Sequence, residues 1–213
     1  WRLADTVDDE FEAQLDYAFD QERGYLTACP TNVGTGMRAS VMLHLPALKL
    51  VNQVGHVLGA VSKFGLAVRG LYGEGSDTQG SIYQLSNQAT LGLSEEAIIE
   101  RLNRLTNQIL NGERQAREFL MDERHRLSTE DRLYRSYGIL THARSMTAQE
   151  AMGLLSDVKL GVELGMIPNV DPNLLKQLIV LTRSAHLQKV MGQQLPPEER
   201  DRLRASFIRD KLR

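Results

Sequence analysis

The sequence predicts a mixed α+β domain followed by a small all-helical domain, and two patterns lead to this prediction. Short segments with the residue preferences and alternation of β-strands occur between residues 25 and 85, interleaved with helical patterns. Beyond residue 126, apolar residues recur only at helical spacing. We therefore divide the chain into two predicted domains, 1–125 and 126–213.

The first domain begins with a predicted acidic amphipathic helix over residues 5–22, which Gly24 ends. Residues 25–29 are β-prone, and residues 30–36 form a loop that contains two glycines. Apolar alternation then predicts a strand over residues 39–45.

A helix and two strands follow in the predicted order. Pro46 favours a helix start, because proline costs little at the first helical position, and Gly65 is the expected end of this helix. Residues 66–68 and 81–85 are predicted strands on either side of a loop, residues 70–80, with four glycines.

Helix-capping signals mark the rest of the chain. Ser94 is a predicted N-cap of a helix that reaches about residue 123, and a polar break is expected at residues 125–128. Thr147 and Glu150 match a capping box. Further helix boundaries are predicted at Gly165, Asp171-Pro172 and Pro196-Pro197.

The net charge and the cysteine content argue against several classes of protein. The formal net charge is −2, from 25 basic and 27 acidic residues, so the composition does not indicate a nucleic-acid binder. Cys29 is the only cysteine in the sequence, which excludes an internal disulfide and fits a reducing cytoplasm. No apolar run reaches about 18 residues, so no membrane span is predicted.

The cysteine opens a loop of small residues whose backbone could approach a ligand closely. Hydrogen-bond donors aimed at Cys29 would lower the thiol pKa below its usual value of about 8.5. Arg38, before the next strand, can offer its planar guanidinium to a phosphate. A buried structural cysteine before a tight turn is the alternative. The loop reads Cys29-Pro30-Thr31-Asn32-Val33-Gly34-Thr35-Gly36-Met37-Arg38-Ala39-Ser40-Val41.

This loop resembles the active-site signature of the phosphagen kinases, Cys-Pro-x-Asn-Leu-Gly-Thr-Gly-x-Arg-x-Ser-Val, and Val33 in place of leucine is the one departure. One helix and one strand later, Arg69-Gly70-Leu71-Tyr72-Gly73-Glu74 resembles their Arg-Gly-x-x-Gly-Glu motif. The resemblance implies a catalytic domain with an antiparallel sheet flanked by helices, of which this chain carries a part.

The resemblance also implies roles for individual residues. Cys29 and Glu74 would face the guanidinium group of the substrate. Arg38 and Arg69 would bind ATP, and Mg²⁺ would help to neutralise the transferred phosphoryl group. No dedicated metal site in the protein is predicted. Three glycines would allow the second loop to close over the substrate: Gly70, Gly73 and Gly75.

Two further features resemble the bacterial protein arginine kinases (McsB type) more than the kinases of free guanidino acids. Residues 81–95 are similar to theirs, and residues 126–213 add a helical domain. The resemblance implies a cytoplasmic enzyme that phosphorylates arginines in proteins with ATP and marks these proteins for the Clp protease. It also implies a homodimer or larger assembly, an activator protein and the Clp chaperone–protease as partners.

The last helix carries a motif that resembles the Arg-Asp-x-x-Arg-Ala sequence of those kinases. Arg200, Asp201 and Arg204 share a helix face, so the arginines could hold a phosphate while the aspartate pairs with a guanidinium. Together with Ala205, they form a phosphoarginine-binding pocket by this resemblance. A solvated face of arginine and aspartate is the alternative.

The family's enzyme is longer at its amino end, and this sequence starts at Trp1 without an initiator methionine or a signal-peptide pattern. We therefore expect a carboxy-terminal part of the enzyme that lacks an upstream substrate glutamate and further ATP-binding arginines, and that is inactive alone. Two other functions remain open. One is a phosphagen kinase for a free guanidino compound, and the other is a non-catalytic phosphoarginine-binding module.

Overall fold

The strands all precede the long helices. The computed structural model describes residues 1–70 and 80–212. In these residues the strands are β1 (Phe19–Asp20), β2 (Gly24–Tyr25), β3 (Ser40–His44), β4 (Leu66–Gly70) and β5 (Ile82–Asn87). The helices are α1 (Arg2–Glu12), α2 (Pro46–Leu50), α3 (Val54–Ser62), α4 (Glu95–Met121), α5 (Glu123–His142), α6 (Ala148–Glu163), α7 (Pro172–Leu181), α8 (Ser184–Met191) and α9 (Pro197–Leu212). The α+β prediction is confirmed.

The larger sheet has the order β3-β5-β4, with both pairs antiparallel, so β5 is the central strand. Its inner face carries the paired Leu43 and Tyr83, which are both buried, and Leu85. This face packs on the apolar side of α4. Met42 points to the outer face and is 55% exposed, which leaves that face open to solvent.

We call helices α5 to α9 the helical region, and α5, α6, α7 and α9 share one hydrophobic core with the sheet. Helix α6 packs on α5, α7 and also α2, while α9 packs on α5 and α8. Leu133, Leu155 and Leu160 are fully buried in this core. Within the described residues, no helix combines the length and the apolar character that crossing a membrane requires.

The predicted helix boundaries are confirmed where they depend on local capping. The Ser94 hydroxyl accepts a hydrogen bond from the amide of Ala97 at 3.2 Å, and that of Thr147 accepts one from Glu150 at 3.1 Å. Asp171 caps α7 in the same way. Such side chains satisfy amides that lack a partner in the first turn of a helix.

Four predicted features were wrong in extent or position. The helix expected over 5–22 ends at Glu12, and none of its residues is buried. The helix expected from Pro46 is two helices, because Asn52 has a φ of 57°, which interrupts the right-handed spiral. The polar break expected at 125–128 lies inside α5, since the chain turns at Asp122 instead. The short strand expected over 25–29 extends no further than Tyr25.

Candidate active site

Close backbone contacts determine the shape of the cysteine loop, residues 29–41. Tyr25 and Gly34 exchange two backbone hydrogen bonds, of 2.7 and 3.2 Å, at its base. Gly34 has a φ of 114°, and a Cβ there would lie 2.2 Å from the carbonyl oxygen of Thr90. Only glycine fits, because any side chain would clash with that backbone.

Thr90 fastens this loop from the segment after β5. Its hydroxyl is buried and donates to the carbonyl oxygens of Thr31 and Val33, at 3.0 and 2.8 Å. Its own carbonyl oxygen accepts from the amide of Thr35 at 3.0 Å. One threonine therefore holds three residues of the loop.

Asn87, the last residue of β5, holds the other end of the loop. Its side-chain oxygen accepts from the amide of Ala39 at 2.8 Å, and its amide nitrogen donates to the carbonyl oxygen of Met37 at 3.1 Å. The sequence analysis did not identify Asn87 or Thr90 as site residues. Polar residues directly after a buried strand were the available signal.

The Cys29 thiol is exposed and lies beside the Thr31 hydroxyl. Its Sγ lies 3.0 Å from the hydroxyl oxygen of Thr31. Hydrogen bonding from the Thr31 side chain, and then from its backbone, holds the pKa of Cys29 below its ordinary value. The alternative of a buried structural cysteine is wrong, because this thiol is open to solvent.

The predicted ATP-binding arginines lie on the outer face of the sheet. Arg69 is opposite Gln84, which is opposite Met42, and directly paired residues share a face. Alternation along the chain assigns the exposed Arg38 to the same face. From the strand geometry, the two Cα atoms are separated by roughly 13 Å along the strands and roughly 10 Å across them. The two arginine side chains therefore project from the same face of the sheet.

A cleft of about 1230 Å³ adjoins Arg38, between α1, the cysteine loop and the start of α4. Carboxylates contribute strongly to its lining, among them Asp8, Glu12 and Glu95. These carboxylates would repel a phosphate in the interior of the cleft. Arg38, at the wall of the cleft, is the side chain of this region that suits a phosphate.

The second predicted loop lies only partly within the described residues. Gly70 ends β4. Gly73, Glu74 and Gly75 lie outside the described residues.

The motif in α9 is divided between the protein interior and its surface. Arg204 is 1% exposed, and its Nε and Nη1 donate to the carbonyl oxygens of Thr182 and Met146, at 2.7 and 2.8 Å. Nη1 also pairs with the Asp201 carboxylate. Ala205 is buried, whereas Arg200 and Asp201 are partly exposed. Arg204 thus supports the helix packing, and the accessible side chains of the motif are Arg200 and Asp201.

Comparisons with known proteins find two family matches, each over a separate part of the chain. Residues 1–116 match the family described as ATP:guanido phosphotransferase, C-terminal catalytic domain. Residues 126–213 match the protein-arginine kinase McsB C-terminal domain.

The similar curated proteins are longer than this chain. A protein-arginine kinase of Brevibacillus brevis is 54% identical over all of the chain, which covers 59% of that protein. One of Moorella thermoacetica is 57% identical, also over all of the chain, which covers 60% of it. A solved taurocyamine kinase from Schistosoma mansoni has a TM-score of 0.46 and 30% identity, over 54% of this chain and 16% of that one.

The two family matches meet near the turn at Asp122 and leave only a short stretch between them. Since the first of them covers more than half of the sequence, the chain belongs to the ATP:guanido phosphotransferase family, in the branch of the McsB-type protein-arginine kinases.

Proposed function

We propose that the protein containing this chain transfers the γ-phosphoryl group of ATP to arginine side chains in other proteins. The observation that carries the proposal is the exposed Cys29 thiol with the Thr31 hydroxyl 3.0 Å away, in a loop that also presents Arg38. The names of the relatives support a kinase of protein arginines over one of free guanidino compounds.

The chemistry follows from the charges involved. A guanidinium is a poor nucleophile because its charge is delocalised, so it must be oriented and must lose a proton. A Cys29 thiolate offers a negative contact for the guanidinium, and Glu74 is the proposed carboxylate that orients it and accepts the proton. Arg38 and Arg69 would neutralise the phosphates, and Mg²⁺ would arrive with ATP as part of the nucleotide substrate. Gly70, Gly73 and Gly75 would let the intervening loop adapt to the substrate.

The helical region has a separate proposed role. Arg200 and Asp201 would bind the phosphate and guanidinium of a phosphoarginine side chain, with Arg204 and Ala205 as the support beneath them. We accordingly propose a catalytic domain over residues 1–125 and a phosphoarginine-binding domain over residues 126–213. The partly exposed Arg200 beside Asp201 supports this division of labour.

The cellular role is proposed from the branch of the family alone. It comprises a cytoplasmic location, a homodimer or larger assembly, an activator protein and the marking of substrates for the Clp chaperone–protease. We further propose that the 213-residue chain is inactive by itself, because it spans 59% of the length of a similar kinase.

The test is an assay of the full-length protein with γ-labelled ATP and an arginine-containing protein, beside Cys29→Ala. We expect label that is lost in acid, because a P–N bond hydrolyses there while a phosphoserine ester survives, and we expect no label with the variant. Arg23→Ala removes an exposed arginine that forms an ion pair with the nearby Asp20, and it should label like the wild type. Label on free arginine alone would favour a phosphagen kinase, and no label would favour a binding module.

A further inference from the structure

One face of α6 contacts the end of the sheet opposite the cysteine loop. We call it the α6 stripe, and it consists of Met152, Ser156, Lys159 and Glu163. Their spacing of four, three and four residues places them on one side of the helix. Each meets a residue from the first 121 residues of the chain, outside the helical region.

His44, the last residue of β3, is the main contact of the stripe. Its Nε2 lies 2.8 Å from the hydroxyl of Ser156, and its Nδ1 lies 3.3 Å from Nζ of Lys159. An ammonium group can only donate, so Nδ1 accepts and Nε2 carries the hydrogen that goes to Ser156. Burial, and then the charge of Lys159, lower the pKa of His44 to about 3, which keeps the ring neutral.

A chain of charged pairs extends from Lys159 to α4. Lys159 pairs with Glu163, one helical turn further along α6. Glu163 accepts a hydrogen bond of 2.9 Å from Nη2 of Arg117. The other side of this guanidinium, Nε, donates to Glu113 at 3.0 Å. The helical region is thereby tied to the long helix under the sheet.

Glu113 connects this series of contacts back to the segment that follows β3. Its carboxylate is 3% exposed in the structure. It accepts hydrogen bonds from the amides of Ala47 and Leu48, at 3.0 and 2.9 Å. These amides belong to the first turn of α2, which is separated from His44 only by Leu45. The turn between β3 and α2 is therefore clamped between α4 and α6.

The stripe also supports the start of β5. Gly80 and Ser81 have φ values of 63° and 55°, conformations that surrounding contacts must enforce in a residue such as serine. A Cβ at Gly80 would lie 2.9 Å from the carbonyl oxygen of Met152, so the backbones of the two segments nearly touch. The carbonyl oxygen of Ser81 accepts from the amide of Leu45 at 2.9 Å.

Strand β5 thus connects the contact with α6 to the cysteine loop. One end contacts α6 through Gly80, and the other ends in Asn87, which with Thr90 holds the cysteine loop. A six-residue strand paired on both sides is stiff, so a displacement at one end is carried to the other.

We propose that the α6 stripe is a positioning surface for phosphoryl transfer, and that Ser156 and Lys159 act through His44 and β5 on the geometry around Cys29. The kinetic consequence rests on the proposed function, whereas the effect on the Cys29 thiol does not. Part of the helical region is by this inference a structural component of the catalytic site.

The test replaces Lys159 in the full-length protein by Met, which has similar length and no charge. Two readouts apply: the rate of Cys29 alkylation by iodoacetamide against pH, with the adduct located by mass spectrometry, and kcat with the KM for ATP. We expect alkylation at neutral pH to fall about threefold, as the thiolate fraction decreases. We also expect kcat to fall about tenfold at an unchanged KM for ATP.

Lys159→Arg, which keeps the cation, should restore most of both quantities. Lys189→Met removes an exposed lysine of α8 and should behave like the wild type. If Lys159→Met does not fold, Ser156→Ala removes only the hydroxyl beside His44 and should give a smaller change in the same direction.

Unchanged alkylation and kcat in Lys159→Met, with or without a lower Tm, would overturn the inference and leave the proposed function standing. A wild type that phosphorylates no arginine would overturn the proposed function. In that case the alkylation profile would still decide whether α6 positions Cys29.

Discussion

The cysteine loop and the Arg200–Ala205 segment are both short motifs with a specific resemblance, yet the structure uses them in opposite ways. In the loop, Cys29 is exposed, and buried neighbours such as Thr90 make the structural contacts. In α9, one side chain of the motif itself, Arg204, is buried and bears those contacts.

This difference shows that a sequence motif identifies residue types but does not reveal which of their side chains are accessible to a ligand. Holding a loop requires many weak backbone contacts, which a separate residue can provide. In the packed helix α9 the structural contacts come from the motif itself, because one of its arginines is buried and donates hydrogen bonds to the carbonyl oxygens around it.

The largest expected effect tests the buried role of Arg204. Arg204→Ala should lower the free energy of unfolding by about 3–5 kcal/mol, because two carbonyl oxygens and the Asp201 carboxylate lose their donor. Urea denaturation measures it, with Arg202→Ala on the exposed side of α9 as the matched control, expected within about 0.5 kcal/mol of wild type. Equal stability of the two variants would contradict the contrast between the motifs.

Thr90→Val tests the support of the cysteine loop. The change keeps the shape of the side chain and removes the donor to Thr31 and Val33, so we expect a loss of about 1–2 kcal/mol in unfolding free energy. Thr106→Val is the control, since the Thr106 hydroxyl has no hydrogen-bond partner among the described residues. An equal effect of both substitutions would mean that the loop does not depend on Thr90.

Arg200→Ala tests whether Arg200, in contrast to the buried Arg204, is the ligand-binding arginine of the α9 motif. If Arg200 is the accessible arginine of the motif, its loss should weaken binding of phosphoarginine about tenfold, or about 1.4 kcal/mol, with no change in stability. Isothermal titration calorimetry on the full-length protein checks this, and Arg202→Ala should bind normally. Undiminished affinity in Arg200→Ala would favour the solvated helix face.

Thr31→Val has the smallest expected effect and concerns the charge of the thiol. The Thr31 hydroxyl lowers the pKa of Cys29, so its removal should raise that pKa towards the ordinary value. Less thiolate is then present below the pKa, and alkylation at neutral pH should slow about threefold, while the rates converge at high pH.

Thr27→Val is the matched control for this change. Its hydroxyl donates to the backbone carbonyl of Cys29 at 2.7 Å, not to the thiol. An alkylation profile that moves equally in both variants would show that loop geometry, rather than the Thr31 hydroxyl, sets the thiol pKa.

Much of the fold could be predicted because its signals are local. Ser94, Thr147 and Asp171 each cap the first turn of their own helix, so neighbouring residues suffice to place the boundary. The strand around Val41 and Leu43 was predictable from alternation in the same way. The turn at Asn52 was not, because the surrounding sequence continues a helical pattern through it.

The sequence by itself determined the family, the α+β class and the presence of Cys29 and Arg38 in one loop, because these follow from contiguous residues. Only the tertiary structure decided that Arg204 is buried, that Thr90 holds the loop and that His44 meets Lys159. The partners of these contacts are far apart in sequence, Thr90 being 59 residues from Thr31 and His44 being 115 from Lys159. No local pattern encodes such pairs, because burial and hydrogen bonding depend on which distant segments pack together.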